Sequence, residues 1–118
     1  APSATVLDIN ATDEIELNST LIDINGNVEV SGTLTQVGVA TFTAALLPAS
    51  DDAVDLGSAS KQWRDIYTGD LNLNNTKHRK NEVDGTSGSW TIQEGSEDLF
   101  LLNRINGKKY KFNIVEVK

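Results

Sequence analysis

The stretch LDINATDEIELNSTLIDINGNVEV, residues 7–30, decides the fold because one short pattern begins in it four times. An apolar residue is followed by an acid, a second apolar residue and then Asn or Ser, at positions 7–10, 15–18, 22–25 and 28–31. Apolar and polar side chains alternate in each unit, which is the period of a half-buried β-strand. Short strands repeated at short spacing are typical of a β-solenoid or a fibre.

Each unit offers few apolar side chains, all on one face, and a lone short hairpin is marginal in water. No amphipathic helix is predicted that could cover this face. We therefore predict an intertwined homotrimeric β shaft of short repeated strands over residues 1–45, with Ile9, Ile24 and Val30 facing inward and the acids facing solvent. The pattern favours self-association without fixing the number three. Pairing of the same strands within one globular sandwich is the alternative.

The charge is distributed unevenly over the 118 residues, whose net charge is -7. Residues 1–60 carry acids and no Lys or Arg, and the first basic residue is Lys61. This balance disfavours nucleic acid and anionic lipid as partners. There is no cysteine, which excludes disulfides and thiolate chemistry, and no apolar run of the roughly 20 residues that membrane insertion requires. The chain starts at Ala1 without Met, and we expect longer sequence to precede it.

Residues 46–68 form a predicted junction between two regions of different composition. Asp55-Leu56-Gly57-Ser58 is typical of a turn, and the residues from Ser60 to Tyr67 predict a short helical segment. Trp63, Ile66 and Tyr67 would share one face of that helix.

Residues 69–118 predict a small antiparallel β cap, a meander of three or four strands. Strand patterns cover 71–73, 89–94, 99–104 and 109–118, and Asn106-Gly107 is a strong hairpin signal. The aromatic and apolar side chains at the predicted strands and junction are expected in a core or a trimer interface: Trp63, Tyr67, Trp90, Leu101, Tyr110 and Phe112.

A phrase in the junction and cap resembles the C-terminal region of bacteriophage tail fibres and related virion fibre proteins of marine and cyanophage type. It runs Leu47-Pro48, Asp51, Asp55-Leu56-Gly57-Ser58, Trp63, Ile66-Tyr67 and Thr68-Gly69-Asp70-Leu71-Asn72-Leu73. It continues with Ser89-Trp90-Thr91-Ile92, the apolar run Leu99 to Leu102, and Asn106 to Phe112. The resemblance covers residues 46–118, and the repeat at 7–43 is the kind of shaft that precedes such ends. The loop at 74–88 looks like an insertion relative to the family phrase.

The resemblance implies a homotrimeric structural protein of the virion, extracellular when it acts, that takes part in trimerisation and host-surface attachment. The implied partners are further copies of the chain, other virion tail proteins and host polysaccharide or lipopolysaccharide. In many such fibres the junction precedes a self-cleaving chaperone with a Ser and Lys pair. Residues 68–118 instead have the pattern of strands, so we expect no enzyme activity and no cofactor.

The dense positive patch in the loop, Lys77, His78, Arg79 and Lys80, is the candidate receptor contact, through charge-assisted hydrogen bonds to anionic glycan. A solvated loop is the simpler interpretation of the same residues. Asp51, Asp52 and Asp55 lack the ligand order of a calcium loop, and we expect no metal. A carbohydrate-binding module with its glycan site in the cap is the alternative function. A depolymerase would need two carboxylates across a cleft, which only a site between chains would provide.

Overall fold

The computed structural model describes residues 5–118, and these residues contain one β-sheet and no helix. The prediction of an all-β chain is confirmed. The chain divides into two units, with the boundary between Thr43 and Ala44. Residues 1–4, where the predicted shaft begins, lie outside the described residues.

The first unit contains no strand in residues 5–43, and no backbone hydrogen bond joins one of its segments to another there. The side chains of residues 5–43 are all exposed, including apolar ones such as Ile9, Ile24 and Val30. The globular-sandwich alternative requires the repeats to pair with one another within one chain. Residues 5–43 show no such pairing. Their pairing with other copies stays a prediction.

The second unit contains a four-stranded antiparallel sheet in the order β1-β2-β3-β4. The strands are β1 Leu71–Asn74, β2 Ser89–Glu94, β3 Leu99–Asn103 and β4 Lys109–Lys111. Each strand pairs with the next one in the sequence. The predicted meander is confirmed in its four-stranded form.

Two tight connections fix the register of the sheet. Gly95 N donates to Asp98 O at 2.7 Å and closes the connection between β2 and β3. Between β3 and β4, Asn103 Oδ1 accepts from the backbone N–H groups of Ile105 and Asn106, and Gly107 adopts φ 74°. A left-handed φ is strained for a residue with a Cβ, which explains why Asn-Gly serves at this turn.

The register separates the two faces of the sheet. Leu71 pairs with Ile92, which pairs with Leu101, which pairs with Tyr110, so these four side chains share one face. The pair Leu73 and Trp90 extends it. We call this set the apolar face: Leu71, Leu73, Trp90, Ile92, Leu101 and Tyr110. None of these side chains is buried, and Leu71 and Tyr110 remain 47% and 46% exposed.

The opposite face contains Thr91, the one buried residue among residues 5–118, with 0% exposure. Its hydroxyl donates to Asn72 Oδ1 at 2.7 Å and accepts from Arg104 Nε at 2.9 Å. A buried hydroxyl without partners would cost about 1–3 kcal/mol, so this pairing is needed for its burial. The chain of hydrogen bonds links β1, β2 and the turn after β3.

The predicted helical segment from Ser60 to Tyr67 is wrong. Ser58 Oγ accepts from Lys61 N at 3.0 Å, as a helix cap would, but Ser58 N also donates to Lys61 O at 3.0 Å. A helix needs that carbonyl as the acceptor for the N–H four residues later. The segment instead forms a turn at 58–61 and continues without regular structure.

The predicted last strand over 109–118 is also too long, because β4 ends at Lys111. Phe112 N still donates to Leu99 O at 3.0 Å, and Leu99 is the first residue of β3. Residues after Phe112 therefore have no β3 residue left to pair with. Strand pattern alone cannot reveal that the partner has ended.

Gly107→Ala tests the hairpin turn. We expect it to lower the free energy of unfolding of the sheet by about 1 kcal/mol, because the added Cβ disfavours the left-handed φ although no atom lies within 4 Å of it. Gly69→Ala is the matched control, since its Cβ also meets nothing within 4 Å and its φ is not left-handed. Chemical denaturation of both variants measures the difference. Equal stability of the two would contradict the role given to the turn.

Candidate functional site

The long loop between β1 and β2, residues 75–88, is closed at its base. Asn75 N donates to Gly88 O at 3.2 Å, and Gly88 N donates to Asn75 Oδ1 at 2.7 Å. Gly88 leaves room for Trp90, because a Cβ there would lie 2.9 Å from the indole Nε1. The loop therefore leaves and rejoins the sheet at a fixed point.

A cluster of hydrogen bonds orders the far part of the loop around Asn81, Asp84 and Thr86. Asn81 Nδ2 donates to Asp84 Oδ1 and to Thr86 O, both at 2.7 Å. The same Asp84 oxygen accepts from Thr86 N at 3.0 Å and from Thr86 Oγ1 at 2.8 Å. Asn81 Oδ1 accepts from the backbone of Val83 and Asp84. We call this set the Asn81 cluster.

These hydrogen bonds favour the charged form of Asp84. The amide of Asn81 and then the backbone and hydroxyl of Thr86 lower the pKa of Asp84 from 3.8 to about 2. The carboxylate is exposed, so it is the direct donors and not burial that change its titration.

A second contact holds the loop to the junction, 27 residues away in sequence. His78 Nε2 lies 2.8 Å from Asp51 Oδ2. Arg79 donates to both carboxylate oxygens of Asp52, with Nε 2.9 Å from Oδ2. The Asp52 side chain is 21% exposed, and its backbone has φ 52°. A bidentate guanidinium–carboxylate pair restricts geometry more than a single contact does. We call the two pairs the clasp.

The clasp changes the interpretation of the predicted positive patch. His78 and Arg79 each face an acid, and only Lys77 and Lys80 of the four candidates make no ion pair within residues 5–118. The two acids are in turn occupied by these residues, Asp51 by His78 and Asp52 by Arg79. In the described part of the chain, no group of three or more His, Cys or acidic residues could hold a metal ion.

An open cleft of about 650 Å³ lies between the end of β1 and the loop. Two of the predicted receptor contacts, Arg79 and Lys80, line it together with Trp90. The remaining lining is rich in amide and hydroxyl groups: Asn72, Leu73, Asn74, Asn75, Asn81, Glu82, Thr86, Ser87 and Gly88. Lys77 and His78 instead line a smaller cleft of about 290 Å³ with Asp51 and Asp52.

The predicted interface residues lie in several places. Trp90 and Leu101 are half-buried on the apolar face, where the Trp90 and Tyr110 ring centroids are 5.7 Å apart. Phe112 follows β4. In the junction, Trp63 packs close to Gly57, and Tyr67 is 94% exposed. Ile9, Ile24 and Val30 belong to the first unit. An interface role for all nine stays a prediction.

The residues that order the site are not singled out by the sequence patterns described above. In the sequence, Asn75, Asn81, Asp84 and Thr86 are simply members of the polar loop at 74–88. A spacing of Asx residues two or three positions before their backbone donors indicates Asx turns, and that signal was present at Asn81 and Asp84. The clasp had no local signal.

Comparison of the chain with models of protein families, with curated proteins and with solved structures finds no match. Residues 5–118 include no helix that is long and apolar enough to cross a membrane. The geometry of the cap and the sequence of the repeats therefore carry the functional argument.

Lowering the pH should release the Asn81 cluster. The pKa of Asp84 in the folded loop, about 2, lies below its ordinary value of 3.8. The contribution of this carboxylate to loop order is therefore complete above about pH 4 and is lost as the pH falls towards 2. Carboxyl NMR shifts of Asp84 should show a midpoint near 2, with backbone amide shifts of Thr86 following it.

Asp84→Asn is the control for this titration, because it removes the ionisable group and leaves one oxygen as acceptor. The Thr86 amide shift in that variant should not follow the wild-type curve between pH 2 and 4. A wild-type midpoint at 3.8 or above would contradict the hydrogen-bond cluster.

Proposed function

We propose that this chain is part of a homotrimeric virion fibre, in which residues 1–45 form an intertwined β shaft and residues 69–118 form a cap. Its function is to assemble the fibre and to present the cap to the host surface. The observation that carries this proposal is the exposed apolar surface of both units. Buried apolar side chains are absent from residues 5–118.

The apolar face supports the cap's part in assembly. A single-layer sheet with one apolar face needs a second layer to bury that face. Within residues 44–118, the only sheet is the four-stranded one, and on its edge strands the apolar side chains of Leu71, Leu73 and Tyr110 remain 47%, 51% and 46% exposed. Packing the same face from several copies around one axis would cover all of them with identical surfaces.

The surface area supports the same conclusion. A compact folded monomer of 12.8 kDa exposes about 6300 Å². This chain exposes 12126 Å². Burying apolar area stabilises by about 25 cal/mol per Å², so association is the available source of that stabilisation.

The repeats support a shaft made of several copies. Their alternating pattern predicts strands, and within residues 5–43 these strands have no partner. Strands from other copies would supply the missing hydrogen bonds and cover the apolar positions, while one acid in each unit stays in solvent. The number three comes from the resemblance of residues 46–118 to phage fibre ends.

Light scattering on a size-exclusion column measures the molar mass of the assembly. We expect three times 12.8 kDa for the chain. Leu71→Asn should lower the melting temperature of the trimer, because it places an amide on the apolar face at a position that is 47% exposed in the single chain, while the shaft still joins the copies. Val83→Asn is the matched control, since Val83 is 97% exposed in the loop, and it should remain a trimer.

A monomeric wild-type chain would refute the fibre proposal. A Leu71→Asn trimer that melts at the same temperature as the wild type and Val83→Asn would remove the apolar face from the interface. A soluble monomer with the cap folded would favour a stand-alone carbohydrate-binding module.

A further inference from the structure

We infer that the 650 Å³ cleft beside β1 binds an uncharged oligosaccharide. This inference rests on the proposed function, because it names the class of host ligand that the cap would contact. It also differs from the anionic glycan that the basic residues of the loop predict.

The charged side chains that line the cleft largely balance one another. Arg79 is the strongest cation of the cleft, and Asp52 already accepts from both Nε and Nη2 of that guanidinium. Lys80 and Glu82 both line the cleft with opposite charges. The charges of the lining therefore offset one another, and an anionic ligand gains little here. The four basic residues do not form a positive surface, because two of them, His78 and Arg79, are paired with acids in the clasp.

Several polar side chains that line the cleft have hydrogen-bonding groups without a protein partner within residues 5–118. Within residues 5–118, the Nδ2 group of Asn75 donates to no protein atom, although its Oδ1 atom accepts. The side chains of Lys80, Glu82 and Ser87 have no hydrogen bond to protein there. These groups include donors, an acceptor and a hydroxyl that is both. Sugar hydroxyls also donate and accept, so this mixture matches an uncharged, hydroxyl-rich ligand.

The Trp90 side chain forms an aromatic wall of the cleft. Trp90 and Leu73 line the same cleft, and Trp90 is half-buried against Gly88 and Tyr110. A large aromatic side chain held in place provides apolar contact area at little entropic cost. The apolar C–H face of a sugar ring fits such a wall, while its hydroxyls reach the polar groups around it.

Three sets of contacts hold the loop in place around the cleft. The base of the loop is closed by Asn75 and Gly88, its far part by the Asn81 cluster, and its side by the clasp. A loop that is ordered before binding avoids the entropic cost of ordering on contact. Uncharged ligands need this advantage most, because each hydroxyl contributes only a modest net hydrogen bond.

Trp90 belongs both to the apolar face and to the cleft, so a change there would confuse assembly with binding. Glu82 and Ser87 are better test positions, because both are exposed loop residues and neither makes a hydrogen bond within residues 5–118 that holds the loop. Ser96 and Glu97, in the connection between β2 and β3, are the matched controls.

The experiment uses the full chain on a panel of neutral hexose and N-acetylhexosamine oligosaccharides, with uronic-acid and sulfated counterparts of the same length. Calorimetry then gives the Kd of the best neutral oligosaccharide. The double variant Glu82→Ala with Ser87→Ala should weaken it at least tenfold, and Ser96→Ala with Glu97→Ala should leave it within twofold. Trp63→Phe leaves Trp90 as the only indole, whose fluorescence should change on binding.

Preference for the anionic sugars, with loss of binding in a Lys77→Ser and Lys80→Ser variant, would overturn the inference. So would the absence of neutral-sugar binding to an assembled trimer, which would leave the fibre proposal standing. A monomer that binds the neutral sugar through Glu82 and Ser87 would support the sugar site and refute the fibre proposal.

Discussion

The main physical constraint on this structure is that no second layer covers the apolar side chains within residues 5–118. In residues 5–118 every large aliphatic or aromatic side chain is exposed or half-buried, and none reaches the interior of a core. Conformational entropy opposes ordering by about 1–2 kcal/mol for each residue, and apolar burial is normally what offsets it. A chain built in this way would gain its main stabilisation from association, which is the physical basis of the assembly proposed above.

Hydrogen bonds specify the local geometry of the cap even though they do not supply a core. Turn side chains such as Asn103 and Asn81 bond the backbone groups that the strands leave free, and Thr91 connects two strands and a turn. Each such bond contributes about 1 kcal/mol net and fixes a position more than it stabilises a fold. The sheet thus has a defined register before its apolar face is covered. In the proposed trimer, that preformed register is what would align three chains whose repeats differ little from one rung to the next.

Sequence patterns predicted the parts of the fold that local chemistry controls. The alternation in Ser89–Glu94 and the Asn-Gly dipeptide located β2 and the last hairpin, because strand period and turn conformation are properties of neighbouring residues. The helix at Ser60 failed because the backbone pair between Ser58 and Lys61 competes for the same carbonyl. The clasp joins residues that are 27 positions apart, so no local pattern contains it, and the basic run Lys77 to Lys80 consequently looked more positive than the folded loop is.

The apolar face and the polar loop would give the cap two separate surfaces for the two proposed functions, assembly and ligand binding. The apolar face would be used for assembly, and the 75–88 loop, whose polar side chains bond mostly to one another and to the junction, would stay outside it. Trp90 connects the two, because the same indole lies on the apolar face and in the wall of the cleft. Burying one side of that ring in a trimer would restrict its motion, and a fixed wall is what a weakly interacting, uncharged ligand requires. Repetition of the cleft in three copies would then add avidity, since linked sites raise the effective concentration of the second contact. An exposed loop with modest affinity at each site can in this way attach a fibre firmly, provided that assembly precedes binding.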